Sequence, residues 1–477
     1  MSRYFDKVLV ANRGEIARRV IRTCKRLGIA TVAVYSDADE GAPHALDADE
    51  AIRIGPAAAK ESYLDVDAIL GAIAKSGATA VHPGYGFLSE KSGFARKVAE
   101  AGVTFIGPPP DVLDAFGDKM KARHVALSAG TSPVPGTDEP IALDTPEGIA
   151  RAHAVATSVG FPVVVKAVGG GGGIGMQVVH DDLALERALK SCSDRGRAAF
   201  SDARVYLERY VSQPRHIEVQ VFCDAHGGAY ALGERECSMQ RRHQKIIEES
   251  PSPAPFFQGE AGEERRRALH AAALRVVKKV GYLGAGTCEF IADESGTLFF
   301  LEVNARLQVE HPVTEMVTGL DLVELQLLVA SGGKLPDLSR VVPKGHAIEA
   351  RIYAEDPSKG FIPKPGAIDE LVWAVAAGGG GEVQSPTLRI ESGVRAGSKV
   401  TPFYDPMIAK IVAWGETRTA ATAELDRALA GTRIAPCVTN LEFLRKLLAT
   451  SEFSEGRYDT KFAEAFAKAS KPATTPL

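Results

Sequence analysis

Five consecutive glycines, Gly169–Gly173, follow shortly after a lysine that ends an apolar segment. The segment Phe161–Lys166 contains three valines and predicts a strand, and Met176–Val179 predicts a second one. In a P-loop the lysine follows the glycines and a helix follows the lysine, so this order argues against that motif. A pliable glycine loop between two strands can close over a polyphosphate with its backbone N–H groups, while Lys166 reaches the same phosphates. The pattern therefore predicts a lid over a nucleotide.

Size and charge narrow the class of protein. A chain of 477 residues has room for roughly two to four domains. Its 56 basic and 60 acidic residues give a net charge of −4, so there is no electrostatic case for nucleic acid or an anionic membrane. No apolar run is long enough to span a bilayer. The six cysteines are scattered and no secretory signal is visible, which favours a cytoplasmic protein with reduced thiols.

Alternating strand and helix patterns predict a doubly wound α/β domain at residues 1–117. Val8–Val10 predicts a buried strand, and apolar residues then recur at helical spacing from Ile16 to Leu27 and stop at Gly28. No dinucleotide fingerprint follows Val10, which argues against a Rossmann cofactor site. Further strands are expected at Thr31–Tyr35, Ala80–His82 and Thr104–Ile106.

Proline-rich segments divide the rest of the chain. Pro133–Gly136 predicts a hinge, and Pro336 and Pro343 mark a later boundary. These signals predict a central domain at 118–335, which includes the lid at about 134–204, and a C-terminal domain at 336–450. Residues 451–477 are expected to form a tail whose end is disordered.

Two glutamates on a predicted hairpin suggest a metal site. Thr287–Ile291 and Leu298–Asn304 predict strands joined by a short turn, which makes Glu289 and Glu302 cross-strand or diagonal neighbours with Asn304 beside them. Mg²⁺ is usually held by one or two carboxylates together with phosphate oxygens. The alternative is a pair of exposed glutamates that splay apart, but the strongly apolar flanking residues favour buried strands.

Three further segments are dense in polar groups. The strand Arg215–Phe222 places His216, Glu218 and Gln220 on one face, as a solvated edge or as the wall of a polar site. Asn304–Glu315 carries Arg, Gln, Glu and His between a buried strand and a helix, which is typical of a site. The cationic stretch Ser238–Lys245 lacks interleaved aromatic residues, so a small anion is a better partner for it than nucleic acid.

Several motifs together resemble the biotin carboxylase component of biotin-dependent carboxylases. The likeness runs from about residue 4 to about residue 450 and implies the ATP-grasp fold: an N-terminal α/β domain, a mobile lid, a large ATP domain and a C-terminal mixed domain. The motifs are the lysine and glycine lid, His82–Glu90, Met239–Lys245, Arg306–Glu315, Gly345–Arg351 and Tyr404–Met407.

The resemblance implies a role for each matching residue. Glu310 would be the general base, and Arg351 would stabilise the biotin enolate. Bicarbonate would be held by Lys245, Arg306, Gln308 and the backbone of Val309. ATP would be contacted by Lys119, Lys166, Gly171, Gly172, Gly173, Glu208, Val211, His216, Gln240 and His243. Mg²⁺, or Mn²⁺ as an alternative, would be held by Glu289 and Glu302, with Asn304 beside them.

The implied reaction is ATP- and bicarbonate-dependent carboxylation of biotin through carboxyphosphate. Biotin would sit on a carrier protein or domain, and a carboxyltransferase subunit would pass the carboxyl group to an acceptor that this sequence does not identify. A homodimer is expected, because the family is often dimeric. Two alternatives stay open: another ATP-grasp ligase that joins a carboxylate to an amine, and a non-catalytic or weakly active scaffold subunit of such a complex.

One residue departs from the family pattern. The family usually has Arg or Lys after the glycine run, where this chain has Ile174. An extra cationic contact to ATP is therefore in question, although backbone capture of phosphate by the glycines is not. A second glycine run, Gly378–Gly381, has no lysine or helix nearby and is interpreted as a flexible loop.

Overall fold

The computed structural model describes residues 4–170, 175–374 and 383–470. The predicted phosphate contacts Gly171, Gly172 and Gly173, the unusual Ile174, the Gly378–Gly381 run and the end of the chain lie outside the described residues. Among those residues, no helix is long and apolar enough to cross a membrane. All six cysteines fall within the described ranges and are buried free thiols.

The N-terminal part is the predicted doubly wound domain. Its five strands are all parallel, in the order β3-β2-β1-β4-β5. One face of the first helix packs against the sheet through Ile16, Val20 and Cys24. This packing explains why apolar residues recur at helical spacing along this segment of the sequence. The strands are β1 (Lys7–Val10), β2 (Ala30–Ser36), β3 (Glu50–Gly55), β4 (Ala80–His82) and β5 (Thr104–Phe105); the helices are α1 (Gly14–Arg26), α2 (Pro43–Asp47), α3 (Val66–Ser76) and α4 (Ser92–Glu100).

The lid has a small antiparallel sheet with its own core. β6 (Val163–Ala167) and β7 (Met176–Val179) form the predicted hairpin, with Lys166 opposite Met176. β8 (Val205–Arg209) pairs with the other edge of β6. The sheet of the lid therefore extends one strand beyond the predicted end of the lid at about residue 204. Helices α7 (Pro146–Val159) and α8 (Leu185–Phe200) cover this sheet; α5 (Pro110–Gly117) and α6 (Lys119–Ser128) precede it.

A nine-stranded antiparallel sheet forms the centre of the molecule, in the order β13-β12-β9-β10-β11-β14-β22-β20-β19. The predicted domain boundary at 335/336 separates strands that belong to the same sheet. β14, which follows this boundary in sequence, pairs with β11, which precedes it, and so joins the C-terminal strands to the central ones. The strands from the central segment are β9 (Arg215–Cys223), β10 (Ala229–Arg241), β11 (Gln244–Ser250), β12 (Gly284–Ala292) and β13 (Leu298–Asn304).

The two faces of β9 have different environments. Ile217, Val219 and Val221 pack against helix α9 (Gly259–Lys279), while Glu218 and Gln220 on the opposite face are also buried. β9 lies between β12 and β10, so the solvated-edge hypothesis is wrong and the strand is an interior wall. Two helices follow the hairpin of β12 and β13: α10 (His311–Thr318) and α11 (Leu322–Ala330).

The C-terminal part completes the large sheet and adds three two-stranded ladders. Its core includes Trp373, Leu444 and Phe453. Its strands are β14 (His346–Tyr353), β15 (Glu355–Asp356), β16 (Ile362–Pro363), β17 (Gly366–Ile368), β18 (Glu370–Val372), β19 (Val383–Gln384), β20 (Leu388–Ser392), β21 (Ser398–Val400), β22 (Met407–Gly415) and β23 (Arg433–Ala435).

Residues 451–470 are not a tail. Phe453 and Ala463 are fully buried in the C-terminal core, and the Tyr458 hydroxyl bonds the buried carboxylate of Glu249. The C-terminal domain therefore extends past its predicted end at residue 450 and includes at least residues 451–470. The helices of the C-terminal part are α12 (Arg418–Gly431), α13 (Leu441–Leu448), α14 (Ser451–Ser454) and α15 (Phe462–Ala469).

Candidate active site

A row of charged side chains crosses the polar face of the nine-stranded sheet. Glu302 on β13 lies directly opposite Glu289 on β12, which lies opposite Glu218 on β9, which lies opposite Arg235 on β10. Directly opposite residues on neighbouring strands share a face and place their Cβ atoms close together. The predicted pairing of Glu289 with Glu302 is confirmed, and a third carboxylate continues the row.

Cations compensate this line of like charges. The Lys245 ammonium has three N–H donors, and they bond Glu218 at 2.6 Å, Glu289 at 3.1 Å and Glu310 at 2.6 Å. Lys119, in the first turn of α6, forms an ion pair with Glu302. Without these cations, the neighbouring carboxylates of Glu218, Glu289 and the partly exposed Glu302 would repel one another.

The position of Lys245 depends on a local irregularity in the hairpin of β10 and β11. The turn uses Arg242 and His243 with φ of 49° and 65°, the left-handed pair typical of a two-residue hairpin. Lys245 pairs with Gln240, and the register then shifts by one residue before Ile247 pairs with Met239. Because of this bulge, Lys245 and Glu248 both reach the same polar face although they are three residues apart.

Electrostatics fix the protonation of the central groups. Burial opposes ionisation of Glu289, but Lys245 and His216 outweigh it and hold the pKa of Glu289 well below its ordinary value. Burial likewise disfavours the charged ammonium of Lys245, yet Glu218, Glu289 and Glu310 raise the pKa of Lys245 well above its ordinary value. The His216 Nε2 atom lies 3.0 Å from Glu289, which raises the pKa of His216 against the effect of its burial.

Glu310 lies between two cations at the start of α10. One carboxylate oxygen accepts a bond from Lys245 at 2.6 Å and the other accepts one from Arg351 at 2.9 Å. Burial opposes ionisation of Glu310, but Lys245, Arg351 and Arg235 outweigh it and hold the pKa of this carboxyl well below its ordinary value. The residue is therefore an anion in this arrangement, with both oxygens engaged.

The loop before α10 is fixed by partners from distant segments. Glu90, in the N-terminal domain, accepts bonds from the Ala305 N–H at 2.9 Å and from Arg306 Nε at 3.0 Å. Gln308 accepts a bond from Arg235 at 2.6 Å and donates to Glu289 at 2.9 Å. Lys410 on β22 donates to the Val309 carbonyl at 2.6 Å. The structure therefore brings Arg306, Gln308 and Val309 to the same edge of the charged row.

The motif at residues 82–90 is built for a close backbone approach. The Asn12 amide donates to the carbonyls of Pro83 and Tyr85, both at 2.8 Å. Gly84 between them has a φ of 62°, and a Cβ at this position would lie 2.8 Å from the Asn12 amide nitrogen. Only glycine avoids both the strain and the clash. This turn leads directly into Leu88–Glu90, and so it positions the carboxylate that holds Arg306.

The residues predicted to contact a nucleotide form two groups. In the lid, Lys166 on β6 forms an ion pair with Glu208 on β8. Val211 follows β8 and is buried against Val134 and Phe299, at the junction between the lid and the large sheet. These contacts join the lid hinge to β13.

The second group lies on the sheet. His216 Nδ1 and Gln240 Nε2 are 2.9 Å apart, which links β9 to the end of β10. His243 is in the hairpin turn, where burial and the neighbouring Lys166 lower its pKa. The structure thus brings His216 and Gln240 into contact. Arg241, the next residue of the cationic stretch, is instead buried and forms an ion pair with Glu355 at 2.9 Å.

The predicted metal ligands are only partly arranged for that role. Asn304 donates to Glu289 at 2.7 Å and accepts from Arg306 at 3.1 Å, so its amide supports Glu289. Among the described residues, two clusters of potential metal ligands occur: His216 with Glu218 and Glu289, and Glu218 with Cys237 and Glu310. Lys245 bonds Glu289 and Glu310, one carboxylate of each cluster, as well as the shared Glu218, and so supplies positive charge to both.

Several residues of the site escaped the sequence analysis. The most important is Arg235, which is fully buried and directs all five guanidinium N–H groups to acceptors. Glu90 ends one of the matching motifs but was given no role, and Glu248 and Lys410 were missed. Lys410 left a signal, because it is a single lysine within the apolar strand Met407–Gly415, whereas the alternating Glu234–Arg235–Glu236 segment resembles many exposed strands. The acceptors of Arg235 are Glu218, Gln220, Thr287, Thr314 and Gln308, at 2.5–3.1 Å.

Known proteins share this arrangement throughout the chain. Three family profiles match consecutive segments: "Biotin carboxylase, N-terminal domain" at residues 4–113, "Carbamoyl-phosphate synthase L chain, ATP binding domain" at 118–338, and "Biotin carboxylase C-terminal domain" at 349–465. The last match extends past residue 450, in agreement with the packing of the C-terminal segment. The lid, the large sheet and the packed C-terminal part define an ATP-grasp fold.

Similar proteins cover nearly the whole chain. Biotin carboxylase 2 of Bacillus subtilis is 47% identical over 459 residues, which are 96% of this chain and 99% of that protein. The mitochondrial methylcrotonoyl-CoA carboxylase subunit alpha of Oryza sativa subsp. japonica is 47% identical over 465 residues, but the chain spans only 60% of its length. The chain belongs to the biotin carboxylase family.

Solved structures of biotin carboxylases have the same fold as this chain. The biotin carboxylase–β,γ-ATP complex from Campylobacter jejuni superposes with a TM-score of 0.90 at 41% identity, covering 97% of this chain and 99% of that one. The biotin carboxylase domain dimer of Hydrogenobacter thermophilus 2-oxoglutarate carboxylase, in complex with MgADP, ADP and bicarbonate, gives a TM-score of 0.89 at 40% identity. It covers 98% of this chain and 99% of that one.

Proposed function

We propose that this chain carboxylates biotin, using ATP and bicarbonate, as the first half-reaction of a biotin-dependent carboxylase. The observation that carries the proposal is the position of Glu310 between Lys245 and Arg351. The resemblance gives Lys245 to bicarbonate and Arg351 to biotin, and a base that takes the proton of bicarbonate has to lie beside the group that binds bicarbonate.

ATP is proposed to lie between the lid and the polar face of the sheet. Lys119 and Lys166 are the phosphate contacts, together with the glycine loop at Gly171–Gly173. Glu208 and Val211 face the adenine and ribose from the hinge, while His216, Gln240 and His243 line the nucleotide from the sheet. In support, Lys119 and Lys166 each have an acidic partner, Glu302 and Glu208, that a phosphate group can replace as the neutralising anion.

Glu289 and Glu302 fit a magnesium ion. They are directly opposite each other, they supply hard oxygen ligands, and Asn304 steadies one of them through its amide. When bound, Mg²⁺ neutralises charge on the phosphates during phosphoryl transfer. Mn²⁺ has the same ligand preference and is the alternative.

Bicarbonate is proposed to bind Lys245, Arg306, Gln308 and the backbone of Val309. Glu310 would remove its proton, so that an oxygen of the resulting carbonate attacks the γ-phosphorus, ADP leaves and carboxyphosphate forms. A strongly stabilised carboxylate is a weak base. Bicarbonate that draws the Lys245 ammonium toward itself would raise the pKa of Glu310 and make it a better one.

Arg351 is proposed to stabilise the negative charge that develops on the ureido oxygen of biotin. A guanidinium offers paired N–H donors to such an oxygen. Carboxyphosphate would release CO₂ and phosphate, and the phosphate would take the N1 proton of biotin before the N1 atom attacks CO₂. The closed lid would exclude water from carboxyphosphate.

The partners follow from this chemistry. Biotin would arrive on a carrier protein or domain, and a carboxyltransferase subunit would use the product. A homodimer and a cytoplasmic location are part of the same proposal; the six buried free thiols support the latter. The domain limits are proposed as 1–117, 118–335 with the lid extended to about 209, and 336 to about 470.

The test is ADP release by the purified chain with Mg²⁺ and ATP, in degassed buffer with and without bicarbonate, and with and without free biotin. The expected result is a rate that depends on bicarbonate and rises with biotin. Glu310→Gln should lose this dependence, and Glu370→Gln is its matched control, because Glu370 is a partly exposed glutamate on β18 that pairs with Arg433. ADP release that is unchanged by removal of bicarbonate would contradict the proposal.

A further inference from the structure

Two glutamates that the reaction above does not use lie side by side in the centre of the large sheet. Glu248 on β11 and Glu349 on β14 are directly opposite each other in antiparallel register, and both are fully buried. Two like charges in these positions destabilise a sheet unless something compensates them. Arg351, two residues after Glu349 on the same strand, shares their face.

Arg351 is held by two carboxylates at once. Its Nη2 atom is 2.9 Å from Glu310 and forms a second ion pair with Glu248. The two carboxylates therefore approach the same nitrogen, one from the loop before α10 and one from the sheet. The oxygens of both Glu248 and Glu349 lack a hydrogen-bond partner among the described residues, but only Glu248 has an ion pair with Arg351.

The charges of the two glutamates differ. Burial raises the pKa of Glu349 well above its ordinary value, with Lys410 opposing and Glu248 adding to the shift. Burial also raises the pKa of Glu248, to about 7, with Arg351 opposing and Glu310 adding to the shift. Burial thus favours the neutral form of Glu349, while the pKa of Glu248 lies close to neutral pH.

The reaction changes the charge of one of the two anions that hold Arg351. When the proton of bicarbonate moves to the carboxylate of Glu310, Glu310 becomes neutral and its attraction for the guanidinium falls. The repulsion between Glu310 and Glu248 disappears in the same step, which favours the ionised form of Glu248. The pairing of Arg351 with Glu248 therefore becomes stronger when the pairing with Glu310 becomes weaker.

We propose that Glu248 is a positioning residue for Arg351, which keeps the guanidinium in place while Glu310 carries the proton taken from bicarbonate. This inference rests on the proposed function, because it assumes that Glu310 is the base and that Arg351 acts on biotin. The titratable groups that face Glu248 are Lys245 on its own strand, Arg351, Glu349 and Tyr353 on β14, Cys237 on β10 and Glu310 ahead of α10; Lys410 on β22 faces Glu349.

A structural test needs no activity. Glutamine at position 310 imitates the neutral form of Glu310, so a crystal structure of Glu310→Gln should retain Arg351 within hydrogen-bond distance of the Glu248 carboxylate. In the double variant Glu310→Gln/Glu248→Gln, the guanidinium should leave this position. An arginine that leaves in the single variant, or stays in the double one, would overturn the proposal.

A kinetic test separates the two half-reactions. Glu248→Gln should reduce kcat/KM for biotin about tenfold or more, since it removes the ion pair that holds Arg351, and Glu248→Asp should restore part of it. ADP release that depends on bicarbonate but not on biotin should change less than about threefold, because Glu248 touches neither substrate of that step. An equal loss in both assays would overturn the positioning role.

Glu349→Gln is the matched control. It replaces an equally buried carboxyl group on the same face with a neutral isostere, and it does not touch Arg351. Biotin-dependent activity should remain within about threefold of wild type, as expected for a group whose burial favours the neutral form. A tenfold loss in this variant would mean that Glu349 is charged and that the pair works differently.

The pH profile is a further check that a purely structural role would not affect. In the wild type, kcat/KM for biotin should fall as the pH drops below about 7 and Glu248 gains a proton; in Glu248→Gln this decline should be absent. If the wild-type chain shows no bicarbonate-dependent ADP release at all, the proposed function fails, while the Glu310→Gln structure still decides whether Glu248 holds Arg351. The same structure decides if Glu248→Gln does not fold.

Discussion

Replacing Arg235 with lysine tests whether the fully bonded guanidinium at the centre of the sheet holds the site together. All five of its N–H donors are paired, with acceptors on β9, β12, α10 and the loop before α10. Lysine keeps the positive charge but has only three donors on a differently shaped head group, so at least two of these buried acceptors lose their partner.

The expected magnitude follows from this count. A buried polar group left without a partner costs about 1–3 kcal/mol, so Arg235→Lys should lower the free energy of unfolding by about 2–6 kcal/mol. Gln308 is one of the acceptors, and its displacement should raise the KM for bicarbonate about tenfold, which corresponds to about 1.4 kcal/mol.

The assay is urea unfolding followed by tryptophan fluorescence, because Trp414 lies on β22 of the same sheet. Arg433→Lys is the control: Arg433 forms an exposed pair with Glu370, and its replacement should change stability by less than about 0.5 kcal/mol. An unfolding curve of Arg235→Lys that coincides with the wild type would refute the view that five donors are needed here.

Three further outcomes are expected. Glu310→Gln should reduce bicarbonate-dependent ADP release by about 10²–10⁴-fold and leave ATP affinity, measured by calorimetry, nearly unchanged; a parallel loss of ATP binding would show that Glu310 is not the base. Arg351→Ala should spare biotin-independent ADP release and impair carboxyl transfer to biotin, and equal losses would refute that assignment. Burial opposes ionisation of Glu249, but Arg418 and His346 outweigh it and lower its pKa to about 2. The ionised carboxylate therefore adds about 3 kcal/mol to the free energy of unfolding above pH 4.5, and this contribution is lost as the pH falls toward 2. In this acid range, the free energy of unfolding of Glu249→Gln should therefore depend less on pH than that of the wild type. An equal dependence on pH in the two proteins would contradict this.

The parts of the site that lie close together in sequence could be predicted. Glu289 and Glu302 flank one short turn, so hairpin geometry alone makes them neighbours, and the structure pairs them directly. The strand before and the strand after the glycine run are likewise joined by a single loop. Local periodicity was enough to find the N-terminal helix that packs against the parallel sheet.

The parts built from distant segments could not be predicted in this way. Arg235 and Gln308 are 73 residues apart, and Arg351 and Glu248 meet only because β11 pairs with β14 across the predicted domain boundary. Alternating charged residues on a strand look the same whether that strand is exposed or central, so burial of Arg235 has no signal of its own. The segment after residue 450 was misjudged for a related reason: its alanines and lysines are typical of a linker, and only a few residues such as Phe453 anchor it in the core.

The most direct measurement of the central claim is the fate of radiolabelled bicarbonate. The purified chain is incubated with Mg²⁺, ATP, free biotin and labelled bicarbonate, and label that stays in solution at alkaline pH but is released by acid is counted as carboxybiotin. We predict that this label appears only when both ATP and biotin are present, and that Glu310→Gln abolishes it. Retained label that does not require ATP, or no retained label although the chain hydrolyses ATP, would contradict the assignment of this chain as a biotin-carboxylating enzyme.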